Sequence, residues 1–421
     1  MRIAFYYQAG MVFTDGSFEG EGVGGSEASL ILLARELAKM GHEVTIFNNC
    51  PEAGVFNGVR YEHFSVIRNG HAGRHERVRR MTKDQGLMTD FDVFVLFRCY
   101  QDLILRTMRG PVKVFWSCDL YENSGWTRNV VPYVDGIVAI SGFHAEHLRA
   151  QHGVPAELIH ALDLGINRDD YGAEVAKVPG KLLYCSVPNR GLKYLAALYP
   201  CIRAQVPEAE LFITSDYRLW GMKAGSEPYA RMFEDTEGVH FLGKVSRAEL
   251  VRHQVSAQLM VYPCDWPENF CIAAMECLAA GTVPVTSDLG ALGTTVADCG
   301  VRIRGRPDEA EYQQQFVAET VRLLRDDGHR RSFAERGRRR ALEQYGWEEV
   351  AKKQWEAFFE GVRGRGLGSR VQRSEVRDQG AGVSDDGAID KQSAPLEPRT
   401  NDQGQMTVQL RQHDWSHRDD H

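Results

Sequence analysis

The stretch Trp266-Pro267-Glu268-Asn269-Phe270-Cys271-Ile272-Ala273-Ala274-Met275-Glu276-Cys277-Leu278-Ala279-Ala280-Gly281 decides how the chain is read. An apolar run at 258–263 precedes it, and Thr282-Val283-Pro284-Val285 follows. Runs apolar on both faces, separated by a helical stretch, are the pattern of a parallel sheet covered on both sides. Glu268 then sits in a strand-to-helix loop at the carboxyl edge of the sheet, where open α/β sheets bind ligands. Asn269 and Phe270 open the helix and offer backbone N–H groups to an anion. Glu276 falls about two turns further on, among Ala273, Ala274, Met275, Leu278 and Ala279. A carboxylate in that company is costly without a partner; the hydroxyls of a ribose or hexose are the expected one.

Outward from this block the same alternation recurs. Strand-like runs at 2–7, 43–48, 92–97, 112–118 and 136–141 form one series. Runs at 181–187, 210–215, 239–242, 258–263, 282–286 and 301–304 form another. Helical patterns lie between them at 26–39, 143–151, 190–205, 247–255, 270–279 and 311–325. The expectation is an α/β chain of two doubly wound domains, 1–167 and 178–346, divided at a polar stretch that ends in Pro179-Gly180. Helical patterns at 329–345 and 347–360 close the folded part, and the charged run 336–340 reads as a solvated helix face. From 363 to 421 the chain is rich in Gly, Ser, Gln, Asp and Arg, with Trp415 its one aromatic, and is expected to be disordered.

Composition narrows the class. The 421 residues carry 50 Lys+Arg against 57 Asp+Glu, a net charge of −7. A general nucleic-acid binder would show a basic surplus instead. Nine cysteines, an odd number with no C-x-x-C pair, read as reduced thiols rather than a disulfide framework or a zinc site. The N-terminal apolar run is too short for a signal peptide, and nothing approaches the ~18 apolar residues of a membrane span. A cytoplasmic location is expected.

Two further stretches carry chemistry. Gly20, Gly22 and Gly25 fit G-x-G-x-x-G, but a long loop separates them from the preceding strand and no acidic residue ends the next one, so the NAD reading is rejected. Gly24-Gly25-Ser26-Glu27 opens a helix instead, with Ser26 as the expected cap and Glu27 at the positive dipole end. Its glycines let a ligand approach the backbone. In Cys185-Ser186-Val187-Pro188-Asn189-Arg190-Gly191-Leu192-Lys193, Arg190 and Lys193 are expected to share a face at a helix start. Cations there oppose the dipole, so an anion is expected, and Arg suits a phosphate.

Together these stretches resemble the family 4 retaining glycosyltransferases of the GT-B fold. Gly41-His42-Glu43-Val44-Thr45, Ala139-Ile140-Ser141, Leu164-Gly165-Ile166-Asn167 and Leu242-Gly243 add to the likeness, in the family's order over roughly residues 1–361. The resemblance implies two Rossmann-like domains facing across a cleft, with the 347–361 helix crossing back to the first. A nucleotide-diphosphate sugar would bind the second domain and a sugar, lipid-linked or protein acceptor the first. It implies that Glu268 contacts the donor sugar and Glu276 the ribose. Asn269, Phe270 and Cys271 would offer amides to sugar and diphosphate. Arg190 would neutralise the leaving group, and Gly24 and Gly25 would line the cleft opposite. No Asp-x-Asp metal motif is placed to help, so metal-independent transfer with retention, and no cofactor beyond the donor, are expected.

Three positions depart from the family pattern. Cys185-Ser186 stands where Gly-Arg is common, leaving Lys193 as a substitute cation. Asn269-Phe270-Cys271 stands for Gly-Phe-Gly. Ser117-Cys118-Asp119 stands where a His-Asp pair often ends the strand, which hands the role beside the sugar to Asp119 or another residue. The alternative is a catalytically degenerate GT-B protein that binds a nucleotide sugar or glycan as scaffold or sensor. The basic segment 68–83 reads first as a solvated face. Its alternatives are peripheral contact with anionic lipid at the inner membrane face, as in some relatives, or with a phosphorylated acceptor.

Overall fold

A computed structural model of the chain describes residues 1–20, 22–68, 78–80, 87–99, 102–120, 126–220, 222 and 225–364. Most of the 68–83 segment, the tail from 365 onward and Glu21 lie outside the described residues.

Two parallel sheets carry the chain, as the two series of runs predict. The first orders its strands Ile159–Ala161, Gly136–Ala139, Val112–Trp116, Val93–Phe97, Arg2–Tyr6, Glu43–Asn48, Val59–His63 and Gly54–Phe56. The last of these pairs antiparallel through a turn at Asn57-Gly58, whose φ values are both positive. Asn-Gly is a strong hairpin signal, and it was not among the strand boundaries expected from the runs alone. The second sheet orders its strands Val239–Phe241, Glu210–Ile213, Lys181–Tyr184, Leu259–Tyr262, Val283–Ser287 and Val301–Ile303. Strand order reverses between Lys181–Tyr184 and Leu259–Tyr262, and a reversal of this kind opens a crevice beyond the strands' carboxyl ends. The loops entering that crevice carry Arg190 and Glu268. In the first sheet the same reversal falls between Arg2–Tyr6 and Val93–Phe97. Several strands stop short of their predicted ends, at Trp116 and Tyr184 rather than 118 and 187. The residues beyond leave the sheet to build the site.

The run 336–340 is not a solvated face. Within the helix Asp327–Gln344, Arg338 donates to the Ala279 and Tyr171 carbonyls at 2.6 and 2.7 Å, and Arg340 to the Thr295 and Thr294 carbonyls at 2.7 and 2.9 Å. A cation over Ala279 meets the negative end of the helix Ile272–Ala279. The chain then forms the helix Trp347–Val350, a π turn at Ala351–Glu356 and a helix on to residue 364, two residues into the predicted tail. These segments lie on the first sheet. Trp355 is fully buried with its ring centroid 4.6 Å from that of Trp116, and Gln354 accepts from the Asp163 amide at 2.8 Å. Where the chain passes between the halves, Ile166 N–H donates to the Tyr345 carbonyl at 2.7 Å and Trp347 N–H to the Ile166 carbonyl at 3.1 Å.

Candidate active site

A cavity of about 900 Å³ is lined by residues of both halves, Glu27, Arg98, Asp119, Arg190, Arg247 and Glu268 among them. Arg190 stands just before the helix Leu192–Arg203, whose N-cap is Gly191 at φ 103°. The helix starts two residues later than predicted, so Arg190 and Lys193 share no helix face. Lys193 pairs with Asp265 at 3.0 Å and is not among the cavity's lining residues.

Arg190 Nη1 donates to Glu268 Oε1 at 2.8 Å, and the Tyr262 hydroxyl donates to the same oxygen at 2.5 Å. Burial, with the Cys264 thiol and the Glu268 carboxylate adding to it, pushes the Tyr262 phenol well above its ordinary pKa, so it keeps its proton to donate. Burial works against charge on Arg190, yet the adjacent Glu268 carboxylate raises its pKa above the ordinary value. Asn269 Nδ2 reaches across the cleft to the Cys118 carbonyl at 2.8 Å. Its Oδ1 is buried without a hydrogen-bond partner among the described residues. The helix after this loop opens at Ile272, two residues later than predicted, behind Cys271 at φ 67°. A non-glycine residue in the left-handed region is uncommon and strained. Phe270 and Cys271 are buried and line the cavity.

Glu276 has protein partners where ligand hydroxyls were expected: Arg247 Nη1 at 2.7 Å and Gln254 Nε2 at 3.0 Å. Arg247 opens the helix Arg247–Ser256 and was missed in the sequence. The sequence does carry a signal for it, since a cation at a helix start opposes the dipole, as Arg190 does before its own helix.

On the opposite wall, Gly24 is the N-cap of the helix Gly25–Lys39. Ser26, the expected cap, lies inside the first turn and makes no capping bond, because the chain enters the helix two residues earlier. A Cβ at Gly25 would stand 3.0 Å from Ile272 Cγ2, and one at Gly24 3.3 Å from the Leu219 carbonyl oxygen. These glycines let the two walls approach. Glu27 is buried and accepts from the Tyr7 hydroxyl at 2.6 Å. Asp119 is not a free carboxylate: Arg98 Nε and Nη2 hold its two oxygens at 3.0 and 2.9 Å. Arg98 adopts φ 58°, a backbone feature with no sequence signature. Cys118 lines the cavity beside them.

His144, fully buried on the helix Gly142–His152, fixes the loop that carries Asp119. Its Nδ1 accepts from the Ile140 amide at 3.2 Å, which leaves Nε2–H to donate to the Asp119 carbonyl at 3.1 Å. Burial pushes its pKa down from 6.5 to about 4, outweighing the Asp119 carbonyl that favours charge. Below about pH 6.5 the unfolded chain takes up a proton that the folded chain refuses. Stability therefore falls as pH drops from 6.5 toward about 4, by on the order of 3 kcal/mol. Melting curves at about pH 7 and about pH 5 should show about 2 kcal/mol of this loss in the native chain and less in His144→Asn. Equal losses in both would refute it.

Among the described residues, no group of three or more His, Cys, Asp or Glu side chains is placed to hold a metal ion. No helix among them is long and apolar enough to cross a membrane.

Comparison with known proteins agrees with this architecture. The Glycosyltransferase Family 4 model matches residues 23–170, and the model for glycosyl transferases group 1 matches residues 186–340. The chain is 29% identical over 391 residues to a phosphatidyl-myo-inositol mannosyltransferase of Mycolicibacterium smegmatis, covering 86% of this chain and 96% of the relative. Among solved structures, sucrose-phosphate synthase from Thermosynechococcus elongatus superposes with a TM-score of 0.62 at 16% identity, covering 86% of this chain and 99% of the other. Anabaena HepE in complex with UDP-glucose gives 0.60 at 15% identity, covering 85% and 99%. With one family match on each side of the 172–180 connector and GT-B enzymes sharing its fold, the chain belongs to the family 4 glycosyltransferases.

Proposed function

We propose that this glycosyltransferase moves a sugar from a nucleoside-diphosphate sugar to an acceptor hydroxyl, with retention and without a metal ion in the step. The observation that carries the reading is the Arg190–Glu268 pair at the point where strand order reverses in the second sheet. A departing diphosphate gathers negative charge, and a preorganised guanidinium beside a helix N-terminus suits that charge. Once Arg190 turns to the diphosphate, Glu268 is free to accept from sugar hydroxyls. The buried, unpartnered Asn269 Oδ1 fits the same picture, since such an acceptor calls for a donor. Retention rests on the family resemblance. HepE's complex with UDP-glucose supports the donor class. The mycobacterial relative's name makes a mannosyl donor and an inositol-lipid acceptor the first pair to try.

A thermal-shift panel of UDP-, GDP-, ADP- and TDP-sugars tests donor binding. A ligand at about 100 times its Kd raises stability by about 2.7 kcal/mol. One nucleotide series should shift the melt, and no shift with any of them would end the reading. The second reading, binding without turnover, is favoured by one observation: Asp119, next to Cys118, has both its oxygens engaged by Arg98. A donor that shifts the melt but is neither hydrolysed nor transferred to any acceptor tried would support it.

A further inference from the structure

Glu276 belongs to a closed ring of side chains that the transfer reading does not use. Arg247 Nη1 donates to Glu276 Oε1, and Gln254 Nε2 donates to Glu276 Oε2. The Tyr171 hydroxyl donates to Gln254 Oε1 at 2.7 Å and accepts from Arg247 Nη2 at 3.0 Å, which closes the ring. Arg247 is also forked onto Asp170 Oδ2 at 2.7 and 2.9 Å. The face of its guanidinium lies over Phe18, 5.1 Å from the ring centroid, and Arg35 lies 5.8 Å from that same ring. The guanidinium is thus fixed by Asp170 and Tyr171, by the helix carrying Glu276 and by Phe18 of the first half of the molecule.

We infer that Arg247 is a positioning residue, holding the Glu276 carboxylate oriented for the ribose hydroxyls of the donor; this rests on the nucleotide-sugar reading above. An ionised carboxylate has about four acceptor sites. Arg247 and Gln254 fill two, which leaves the others for hydroxyl donors in the cavity that Glu276 lines. Glu276 is buried beside apolar neighbours, so without its guanidinium partner its carboxylate would be left uncompensated and would swing away. Lysine cannot replace this arginine. A single ammonium lacks the planar fork that serves Asp170, Tyr171 and Glu276 together.

The test is the preference of the full chain for ribose over dideoxyribose. UDP, GDP and ADP are each titrated against their dideoxy counterparts by calorimetry, on the native chain and on Glu276→Gln, Arg247→Met and Arg247→Lys. Hydrogen bonds to a buried carboxylate predict a native preference of about tenfold or more for the nucleotide that binds. Glu276→Gln and Arg247→Met should bring it near one, and Arg247→Lys should cut it at least about threefold. A general loss of structure weakens both nucleotides alike and leaves the ratio unmoved, and Arg247→Lys keeps the charge should Arg247→Met fail to fold. A preference lost in Glu276→Gln but intact in the Arg247 variants overturns the inference alone. A preference that survives Glu276→Gln overturns the ribose reading and the inference with it.

Discussion

Glu268→Gln will bind a nucleoside diphosphate more tightly than the native chain while transferring sugar about a hundredfold more slowly. In the ligand-free site Arg190 spends its charge on Glu268, 2.8 Å away and 7% exposed. A diphosphate must break that pair to win the guanidinium. Glutamine keeps the shape and still accepts from Tyr262, but it no longer competes for the cation. Hydrogen bonds to charged groups are worth about 1.5–3 kcal/mol, so removing the competitor should tighten diphosphate binding by about tenfold. The empty variant should also melt earlier, because a partly buried guanidinium has lost its counter-charge. Transfer suffers because an amide is a weaker acceptor for sugar hydroxyls than a carboxylate. Calorimetry with the nucleoside diphosphate and a transfer assay decide the matter. Weaker binding, or native turnover, would show that Glu268 does not hold Arg190 in reserve.

Gly191→Ala will cost about 3 kcal/mol or more of stability and will weaken diphosphate binding with it. A Cβ at this position runs into the Pro263 carbonyl oxygen and stands 3.1 Å from Cys264 Cα, both backbone groups that cannot swing aside. The φ of 103° adds strain for any L side chain. The contact joins the loop after Lys181–Tyr184 to the loop after Leu259–Tyr262, so relieving it must move Arg190, Glu268 or both. Urea melts and diphosphate titration check it. A variant within about 0.5 kcal/mol of native with unchanged binding would show that the two loops have slack.

The parallel sheets were legible because their strands are buried on both faces and read as unbroken apolar runs. The place of Glu268, Arg190, Gly24 and Gly25 on the cavity wall was legible because loop position and helix polarity are local properties. The partners of those residues were not. Glu276 was seen as a carboxylate in need of company, but Arg247, Gln254 and Tyr171 lie 29, 22 and 105 positions away in the chain and meet it only once the sheet is formed. The Arg98 partner of Asp119 was not legible, because Arg98 reaches it through a left-handed backbone that no residue type announces. Arg336, Arg338 and Arg340 looked like a solvent face because a run of charge has no sequence mark for the carbonyls it will cap.

The bonded segments at Ile166 and Tyr345–Trp347 also have a mechanical meaning. Because the chain returns to the first sheet, the second half is an insertion whose entry and exit touch at one place. Two strands tied side by side act as a pivot, whereas a single strand acts as a swivel. A pivot of that kind resists sliding and free rotation of the cleft walls. The same pivot holds Gly25 opposite Ile272 and Asn269 opposite the Cys118 carbonyl.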